Sequence, residues 1–215
     1  MIRDGGHPIN NDIGAINYRH VDELEKLRYE LLRCRECRDL FGFEPRPISM
    51  GNSCAPIIQV SQAPSIHVHN TGRSFNDISG RRLRGEWYHI SEGIFYDPDI
   101  FYITSVGHCY PGRSKHQGDN PPPRICARKW LRREIDVVNN EIFILIGKAA
   151  ADFFFPKRDF TDLVFNDQEI NGKKAYVIPH PSPLNVKWFK DHPEFETERI
   201  LVIRKAVHDI VDRFL

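Results

Sequence analysis

The cysteines are the residues of this sequence whose type and spacing point most directly to chemistry. Cys34 and Cys37 are separated by two residues, whereas Cys109 and Cys126 stand singly and much further along the chain. A close pair with two distant single cysteines suits four thiolates that the fold brings together around an iron–sulfur cluster, with zinc as the alternative metal. The same residues could also be ordinary buried thiols, because free cysteine is among the most buried residue types. Cys54 lies just before a predicted strand and is expected in the core, not among the ligands.

A second candidate site is the segment His-Pro-Ser-Pro-Leu-Asn at residues 180–185. Two prolines restrict the backbone near His180, so its imidazole is presented rigidly and can donate a hydrogen bond into a crevice. Leu184 is an apolar residue at the tip of this polar loop, and an apolar wedge of this kind can separate stacked bases. The alternative interpretation is a surface turn that contains a structural histidine.

A third candidate lies in the segment 62–80, which begins Gln-Ala-Pro and continues from residue 70 as Asn-Thr-Gly-Arg-Ser-Phe-Asn-Asp-Ile-Ser-Gly. Its glycines permit a close approach of the backbone to a ligand. Phe75 offers a face on which a planar ring could stack, and Asp77 follows two residues later. A carboxylate in that place could stabilise a developing sugar cation or orient a water molecule. Asp77 could equally cap the helix that follows.

Short apolar segments that alternate with amphipathic helices must position these candidates. The predicted strands occupy residues 56–61, 100–106, 141–147 and 174–179. The predicted helices, which carry apolar residues at helical spacing, occupy residues 20–33, 124–139, 148–155 and 196–215. The buried face of the last helix is expected to contain Ile200, Ile203, Val207, Ile210 and Phe214. This alternation predicts an α/β fold whose mostly parallel sheet is covered on both faces.

The loops that leave the carboxyl ends of the strands should meet in one crevice, because ligands of such sheets bind beyond those ends. These loops are residues 62–80, 107–123 and 180–188. We expect the first nineteen residues to form a flexible tail and residues 20–215 to form a single domain. We also expect the protein to be a monomer.

The composition excludes several broad classes of protein. Of the 215 residues, 40% are hydrophobic and 27% are charged, which leaves enough apolar material for a core. A formal net charge of +1 excludes a polycation that coats nucleic acid by bulk charge. We recognise no secretory signal and no membrane span, and therefore expect an intracellular, cytoplasmic protein without a membrane partner.

Basic residues flank the predicted crevice. They could form a rim that binds DNA phosphates, or they could be an ordinary solvated face. These residues are Arg73, Arg81, Arg82, Arg84, Arg113, Lys115, Arg124, Arg128 and Lys129.

The combination of motifs between about Cys34 and Trp188 resembles the uracil-DNA glycosylase superfamily, in particular its iron–sulfur branches, families 4 and 5. The shared features are the order of the cysteines, the Ala-Pro turn at residues 63–64, the run at residues 71–80 and the His-Pro-Ser segment. The Thr-Gly-Arg-x-Phe-x-Asp-x-Ser-Gly run looks most like family 5. His-Pro-Ser-Pro-Leu is similar to the family 1 motif that carries a recognition histidine and an intercalating leucine. The resemblance implies a three-layer α/β/α sandwich around a four-stranded, mostly parallel sheet.

The same resemblance implies DNA repair by hydrolysis of the N-glycosidic bond of uracil in DNA, which leaves an abasic site. His180 would stabilise the departing uracil, and Asp77 would support the sugar cation or the attacking water. A [4Fe-4S] cluster would order the loops that contact DNA, without redox chemistry. The implied residues are, for the base pocket, Gln62, Ala63, Phe75, Ser105 and Ser182; for DNA, Leu184, Arg73 and Asn185; and for the cluster, Cys34, Cys37, Cys109 and Cys126.

Two alternatives to this function follow from particular residues. Ser105 stands where relatives commonly carry an asparagine that reads the edge of uracil, so hypoxanthine, xanthine or a substituted uracil are alternative bases. Gln62 stands where family 4 carries an acidic residue. An amide cannot act as a base, so this position also departs from the family pattern. The other alternative is a non-catalytic module with a metal or cluster that binds single-stranded nucleic acid, with Phe75, Trp130 and Trp188 as stacking faces.

Overall fold

A five-stranded sheet forms the centre of the molecule. The structure, a computed structural model, describes residues 23–115 and 118–215, so the predicted tail (residues 1–19) lies outside the described residues. The strands are β1 (Ile57–Ser61), β2 (Phe101–Ser105), β3 (Ile142–Ile146), β4 (Gln168–Ile170) and β5 (Lys173–Ile178). They are arranged in the order β2-β1-β3-β5-β4. All neighbouring pairs are parallel except β4 and β5, so the predicted α/β fold with a mostly parallel sheet is confirmed.

The predicted strand count of four was one too low. Each of the four predicted strands forms with both ends within one residue of the prediction. The fifth strand, β4, is three residues long, and only Ile170 in it is buried. A segment this short and polar gives no apolar run and no alternation, so it could not be told from a turn. It closes one edge of the sheet as an antiparallel partner of β5.

Helices surround the sheet, and several are a single turn. They are α1 (residues 23–32), α2 (Glu36–Phe41), α3 (Ile66–Thr71), α4 (Ile78–Arg81), α5 (Glu92–Phe95), α6 (Arg124–Cys126), α7 (Arg132–Val137), α8 (Lys148–Phe154), α9 (Phe160–Phe165), α10 (Val186–Asp191) and α11 (Ile200–Val211). Three π-helical segments adjoin them: π1 (Arg82–Tyr88) after α4, π2 (Ala127–Leu131) between α6 and α7, and π3 (Phe195–Arg199) before α11. None of the helices among the described residues is long and apolar enough to cross a membrane.

The core lies between the sheet and these helices. Strand β3 is buried along its whole length, and β1 is buried except at its last residue. Helix α11 turns the predicted stripe toward this core, and its members Ile200, Ile203, Val207 and Ile210 are buried. The prediction for Phe214 was wrong: its side chain is 49% exposed, because the helix ends at Val211, before residue 214.

The segment 62–80 was expected to be one continuous loop, and this expectation was also wrong. It contains α3, which begins after Ser65, whose hydroxyl accepts a hydrogen bond from the Val68 amide at 3.3 Å. Only Val68 of this helix is buried, so the helix has no apolar stripe that a sequence pattern could reveal. The helix ends at Gly72, and the chain then enters the turn that carries Phe75.

Candidate active site and cysteine cluster

A cleft opens at the carboxyl ends of the parallel strands. It is small, with a cavity volume of about 80 Å³. Ser61 ends β1, Ser105 ends β2 and His180 follows β5, so three strands contribute to the lining. The lining residues are Ser61, Ala63, Pro64, Ser65, Val68, Ser74, Phe75, Asp77, Ser79, Ser105 and His180. Two of the three predicted loops therefore converge there, and residues 107–123 contribute no lining residue among those described.

Phe75 forms one wall of the cleft in an uncommon backbone conformation. Its φ angle is +57°, in the left-handed region that side chains other than glycine rarely adopt. Its ring is 7% exposed and meets the Phe95 ring edge-on, with centroids 6.1 Å apart. A Cβ atom at Gly80 would lie 1.6 Å from the Phe75 carbonyl oxygen. The turn can therefore close only with glycine at position 80.

Asp77 combines the two roles that the sequence left open. Its Oδ1 accepts a hydrogen bond from the Gly80 amide at 3.0 Å, and it is the N-cap of α4. The residue also lines the cleft. Its carboxylate is close enough to His180 to act on the pKa of that imidazole. Capping and a position in the cleft are therefore compatible, because the cap uses one carboxylate oxygen.

His180 is held in a defined orientation in the same cleft. Burial lowers the pKa of His180, and the Asp77 carboxylate opposes this shift. The Ser182 amide donates a hydrogen bond to His180 Nδ1 at 3.2 Å. Because Nδ1 must be an acceptor in that bond, the proton of the neutral ring is on Nε2. The ring packs against Gly147, where an added Cβ would lie 3.4 Å from His180 Cβ.

Two serine hydroxyls lie side by side at the floor of the cleft. Ser61 and Ser105 are register partners on the parallel strands β1 and β2. Ser105 Oγ donates to the Gly107 carbonyl at 2.8 Å, and Ser61 Oγ donates to the Thr104 carbonyl at 3.4 Å. With their protons used in this way, both hydroxyls present lone pairs as acceptors. Gln62 adjoins this floor through its backbone, since its carbonyl accepts from the Gly107 amide at 3.0 Å.

The predicted DNA-contacting residues lie on two chain segments, each of which also contributes residues to the lining of the cleft. Leu184 projects from its loop with 92% of its surface exposed. Asn185 is half-buried, and its amide donates to the His180 carbonyl at 3.4 Å. Arg73 pairs with Glu92 at 3.1 Å, and its guanidinium lies 3.8 Å from the centroid of the Tyr96 ring.

The four predicted ligand cysteines lie together on another part of the molecule. Burial raises the pKa of Cys37 to about 11, and Cys126 and Cys34 add to the rise. Burial also raises the pKa of Cys109 to about 12, again with contributions from the other three thiols. Apolar residues of α1 and π2 cover the group: Leu27, Leu31 and Trp130. Main-chain amides point at two of the sulfur atoms, that of Arg46 at Cys109 and that of His108 at Cys126 (3.3 Å).

Four cysteine side chains are a donor set that either an iron–sulfur cluster or a zinc ion can use. Within residues 23–115 and 118–215, no group of three or more His, Cys, Asp or Glu side chains is arranged so that it could hold one metal ion. A tetrahedral zinc ion needs its sulfur ligands about 3.8 Å apart, because each Zn–S bond is about 2.3 Å long. A four-iron cluster takes one thiolate on each iron, so its ligands are spread more widely. The thiols lie near one another, so their chemistry fits either arrangement.

The comparison with known families decides the relationship of this chain. The sequence model of the uracil DNA glycosylase superfamily matches residues 48–204. The chain belongs to this superfamily. The match covers all five strands of the sheet and every residue that lines the cleft.

Curated relatives within the superfamily are of two types. The type-4 uracil-DNA glycosylase of Sulfurisphaera tokodaii is 28% identical over 139 residues, which are 64% of this chain and 60% of that protein. The type-5 uracil-DNA glycosylase of Pyrobaculum aerophilum is 27% identical over 179 residues, 76% of each chain. The type-4 enzyme of Archaeoglobus fulgidus is 25% identical over 177 residues, 75% of this chain and 83% of that protein. The chain thus spans less than two thirds of the first of these relatives and about four fifths of the others.

A buried polar network in this superfamily member was not foreseen from the sequence. His108 and Glu134 are both buried and form an ion pair at 2.8 Å. Burial alone lowers the pKa of His108, but Glu134 and Cys126 outweigh it and raise the value to about 10. His108 Nδ1 lies 3.4 Å from Cys126 Sγ, and Thr104 donates to Glu134 at 2.6 Å. The network thereby joins the cysteine group to the end of β2, next to Ser105.

Three further expectations about this uracil DNA glycosylase homologue were wrong. Trp130 is only 4% exposed, so it offers no stacking face for a single strand; Trp188 is half-buried and contacts other aromatic rings, and its role stays a prediction. Cys54 is exposed at the surface, where its thiol contacts Asp99, and is not a core residue. Arg84 is only 9% exposed and does not lie on a basic rim. The sequence showed Arg84 only as one member of a basic cluster, which carries no information about burial.

Proposed function

We propose that this protein is a monofunctional DNA glycosylase that hydrolyses the N-glycosidic bond of uracil in DNA and leaves an abasic site. The observation that carries the proposal is the arrangement of His180 and Asp77 in one cleft, with the imidazole held so that Nε2–H is its donor. The names of the type-4 and type-5 relatives support the same activity. None of the described residues that line the cleft is a lysine, which agrees with hydrolysis and not with a lyase step through an amine.

Base recognition requires that the nucleotide leave the duplex stack, because the glycosidic bond is inaccessible inside it. The extruded ring would stack against Phe75, whose buried position provides a fixed wall. The backbone at Gln62 and Ala63 and the hydroxyl of Ser105 would contact its polar edge. Ser182 acts through His180, because its amide holds the imidazole in the required orientation.

Bond cleavage would pass through an oxocarbenium-like sugar and a uracil anion. His180 donates a hydrogen bond to the uracil oxygen on which negative charge develops, and this bond strengthens as the transition state is reached. A neutral imidazole is the suitable donor here, because burial disfavours its charged form. Asp77 keeps one carboxylate oxygen outside its capping bond, which would stabilise the sugar cation or orient the attacking water.

DNA would be held at the mouth of the cleft. Leu184 would enter the base stack in place of the extruded nucleotide, since it is an exposed apolar residue next to the His180 loop. Arg73 and Asn185 would contact the backbone beside it. The protein would act on DNA as a monomer.

A [4Fe-4S] cluster would be held by Cys34, Cys37, Cys109 and Cys126, and it would order the segments that carry these residues. Four thiols brought close together from separate parts of the chain support this assignment, with zinc as the alternative metal. The backbone amides of Arg46 and His108 would then donate hydrogen bonds to ligand sulfur atoms. Such bonds to metal ligands are common and orient them. Its role would be structural, because hydrolysis of a glycosidic bond transfers no electrons.

Another deaminated base is the second candidate substrate. The acceptor pair of Ser61 and Ser105 supports it, because the N–H groups of hypoxanthine or xanthine could donate to these oxygens as well as that of uracil. A serine side chain also leaves more room in the cleft than an asparagine would.

The test uses duplex oligonucleotides that each carry one uracil, hypoxanthine or xanthine, followed by alkaline cleavage of abasic sites. We expect strand cleavage at uracil with the purified protein and none without alkali. The variant His180→Ala, purified in parallel, controls for contaminating glycosylases. Product from hypoxanthine or xanthine but not uracil would establish the second candidate, and no product from any lesion would refute both.

A further inference from the structure

Two consecutive carbonyl groups of the turn that carries the Phe75 ring are held from one side. The Tyr96 hydroxyl donates to the Ser74 carbonyl at 2.7 Å. Arg84 Nη1 donates to the Phe75 carbonyl at 2.9 Å. Both donors come from outside the turn, Arg84 from π1 and Tyr96 from the end of α5.

The Arg84 guanidinium is itself fixed by a network of charge and ring contacts. Its Nη2 pairs with Glu92 Oε2 at 3.0 Å. The other oxygen of Glu92 pairs with Arg73 at 3.1 Å, and the Arg73 guanidinium stacks on Tyr96. The Arg84 side chain is only 11% exposed, so water competes little for its bond to the Phe75 carbonyl, whereas the Glu92 side chain is 52% exposed. The network is closed, because Tyr96 in turn donates to the turn that Arg84 also holds.

The turn needs such support because its conformation is unfavourable by itself. Phe75 is not a glycine and yet has a φ angle of +57°. A residue in this region persists only when the surrounding structure holds it there. The Asp77 cap fixes the turn after Phe75, whereas Arg84 and Tyr96 fix the carbonyls at and before it.

We propose that Arg84, oriented by Glu92, is a positioning residue that holds the Phe75 ring where the extruded base stacks. This inference rests on the proposed function and adds to it a residue that neither lines the cleft nor contacts the base. Misplacement of a stacking wall by about an ångström would slow the chemical step by about 10- to 100-fold. Binding of undamaged DNA should change little in Arg84→Met, because Arg84 is buried and Arg73 is the member of this network that we place at the DNA backbone.

The experiment compares Arg84→Met, Glu92→Gln and Tyr96→Phe with a matched control, Arg199→Met. Arg199 is 8% exposed and makes the same two kinds of contact, to the Val164 carbonyl at 2.7 Å and to Asp167 at 2.7 Å, but outside the cleft.

Three measurements are made on each variant. Single-turnover excision of uracil at saturating enzyme reports the chemical step, and the affinity for undamaged duplex reports DNA binding. Amide hydrogen exchange of residues 73–80, followed by mass spectrometry, reports the turn without any need for activity.

We expect Arg84→Met to excise uracil about 10- to 100-fold more slowly and to exchange amides of residues 73–80 about tenfold faster. Arg199→Met should stay within about twofold of wild type in both readouts. Arg84→Lys, which retains the charge and one donor, should recover part of the rate. If Arg84→Met does not fold, Glu92→Gln and Tyr96→Phe carry the test, because both keep the size of the side chain.

Three outcomes would overturn the inference. One is a wild-type rate in a folded Arg84→Met protein, and another is equal loss in Arg84→Met and Arg199→Met. The third is unchanged hydrogen exchange at residues 73–80 in Arg84→Met, Glu92→Gln and Tyr96→Phe alike. A wild-type protein without glycosylase activity would instead refute the proposed function, and the exchange experiment would still decide whether Arg84 holds the turn.

Discussion

His180 is the residue whose surroundings determine the proposed chemistry most directly. Its place in a His-Pro-Ser motif predicts a rigidly held imidazole, and the structure adds which nitrogen carries the proton. The Ser182 amide occupies the Nδ1 lone pair, so the donor available to a substrate is Nε2. Removal of one such donor usually costs about 2.7–4 kcal/mol of transition-state stabilisation.

The first prediction concerns the removal of this donor. We expect His180→Ala to lower the single-turnover rate of uracil excision by about 10²–10³-fold. The affinity for DNA that contains an abasic site should change by less than about threefold, because the lost bond forms with the departing base. Excision assays and fluorescence anisotropy measure the two quantities. Equal losses of rate and affinity would show that His180 binds DNA and does not assist cleavage.

The second prediction concerns the dependence of the rate on pH. Burial lowers the pKa of His180, so the ring stays neutral as the pH falls through the ordinary histidine value of about 6.5. Protonation at lower pH would place a proton on Nδ1 and break the bond from Ser182. We therefore expect an excision rate that is constant from pH 8 to about 6.5 and declines below that. A decline with its midpoint above about 6.5 would contradict the assignment.

The third prediction concerns the choice of base. The Ser105 hydroxyl gives its proton to Gly107 and offers only lone pairs to a ligand, whereas an asparagine would offer both a donor and an acceptor. Ser105→Asn should therefore raise the ratio of the uracil rate to the hypoxanthine rate by about tenfold. Both substrates are assayed on the same protein preparation, so loss of active protein cancels in the ratio. An unchanged ratio would show that Ser105 does not contact the base edge.

Individual residues were predictable where a motif or a strand end defines their place. His180, Ser105, Phe75 and Asp77 all line the cleft, because parallel strands end at one edge of the sheet and short loops follow. Arg84 was not predictable as a support of Phe75. Its contacts depend on a left-handed turn nine residues away, and no local pattern encodes that geometry.

At the scale of elements, burial decides what the sequence reveals. The four parallel strands are apolar and were placed to within one residue at each end. The short elements α3 and β4 each bury a single residue, so they lack the periodicity on which such predictions depend. Helix α3 depends on the Ser65 cap and on Gly72, which are signals of its ends and not of its face.

The fourth prediction concerns the loop that precedes α10. Leu184 is 92% exposed, and an inserted apolar side chain replaces stacking that is lost when a base leaves a duplex. Leu184→Ala should lower the excision rate on duplex DNA by about tenfold and leave the rate on single strands within about twofold. Val186→Ala is the matched control, because Val186 is also apolar and 66% exposed. Equal losses on both substrates, or equal effects of the two variants, would argue against a wedge.

At the scale of the whole molecule, the cysteine group joins parts of the chain that are distant in sequence. Cys34 and Cys37 flank the start of α2, Cys109 follows β2 and Cys126 ends α6. A cluster bound by all four would stabilise the folded state, because the unfolded chain offers no preformed site. Loss of the cluster would therefore destabilise the segment that follows the carboxyl end of β2, and also helix α1, which covers the thiols.

The fifth prediction tests this dependence. We expect the wild-type protein to be brown and to contain iron, and Cys126→Ser to lose the visible absorbance. The melting temperature of that variant should fall by about 5 °C or more, because the cluster stabilises only the native state. Cys54→Ser is the control and should change neither property, since Cys54 is exposed and contacts Asp99 instead of the other thiols. A colourless wild-type protein that contains zinc would refute the cluster.

The pairing of Ser61 with Ser105 has a consequence for how this protein could diversify. The two positions are neighbours in the parallel ladder of β1 and β2, where main-chain hydrogen bonds set a spacing of about 4.8 Å whatever the side chains are. Natural selection can therefore exchange the side chains that line the cleft at these two positions while the backbone that presents them stays in place. A descendant of this chain could acquire a different lesion preference through one or two substitutions at the strand ends, with little cost to its fold.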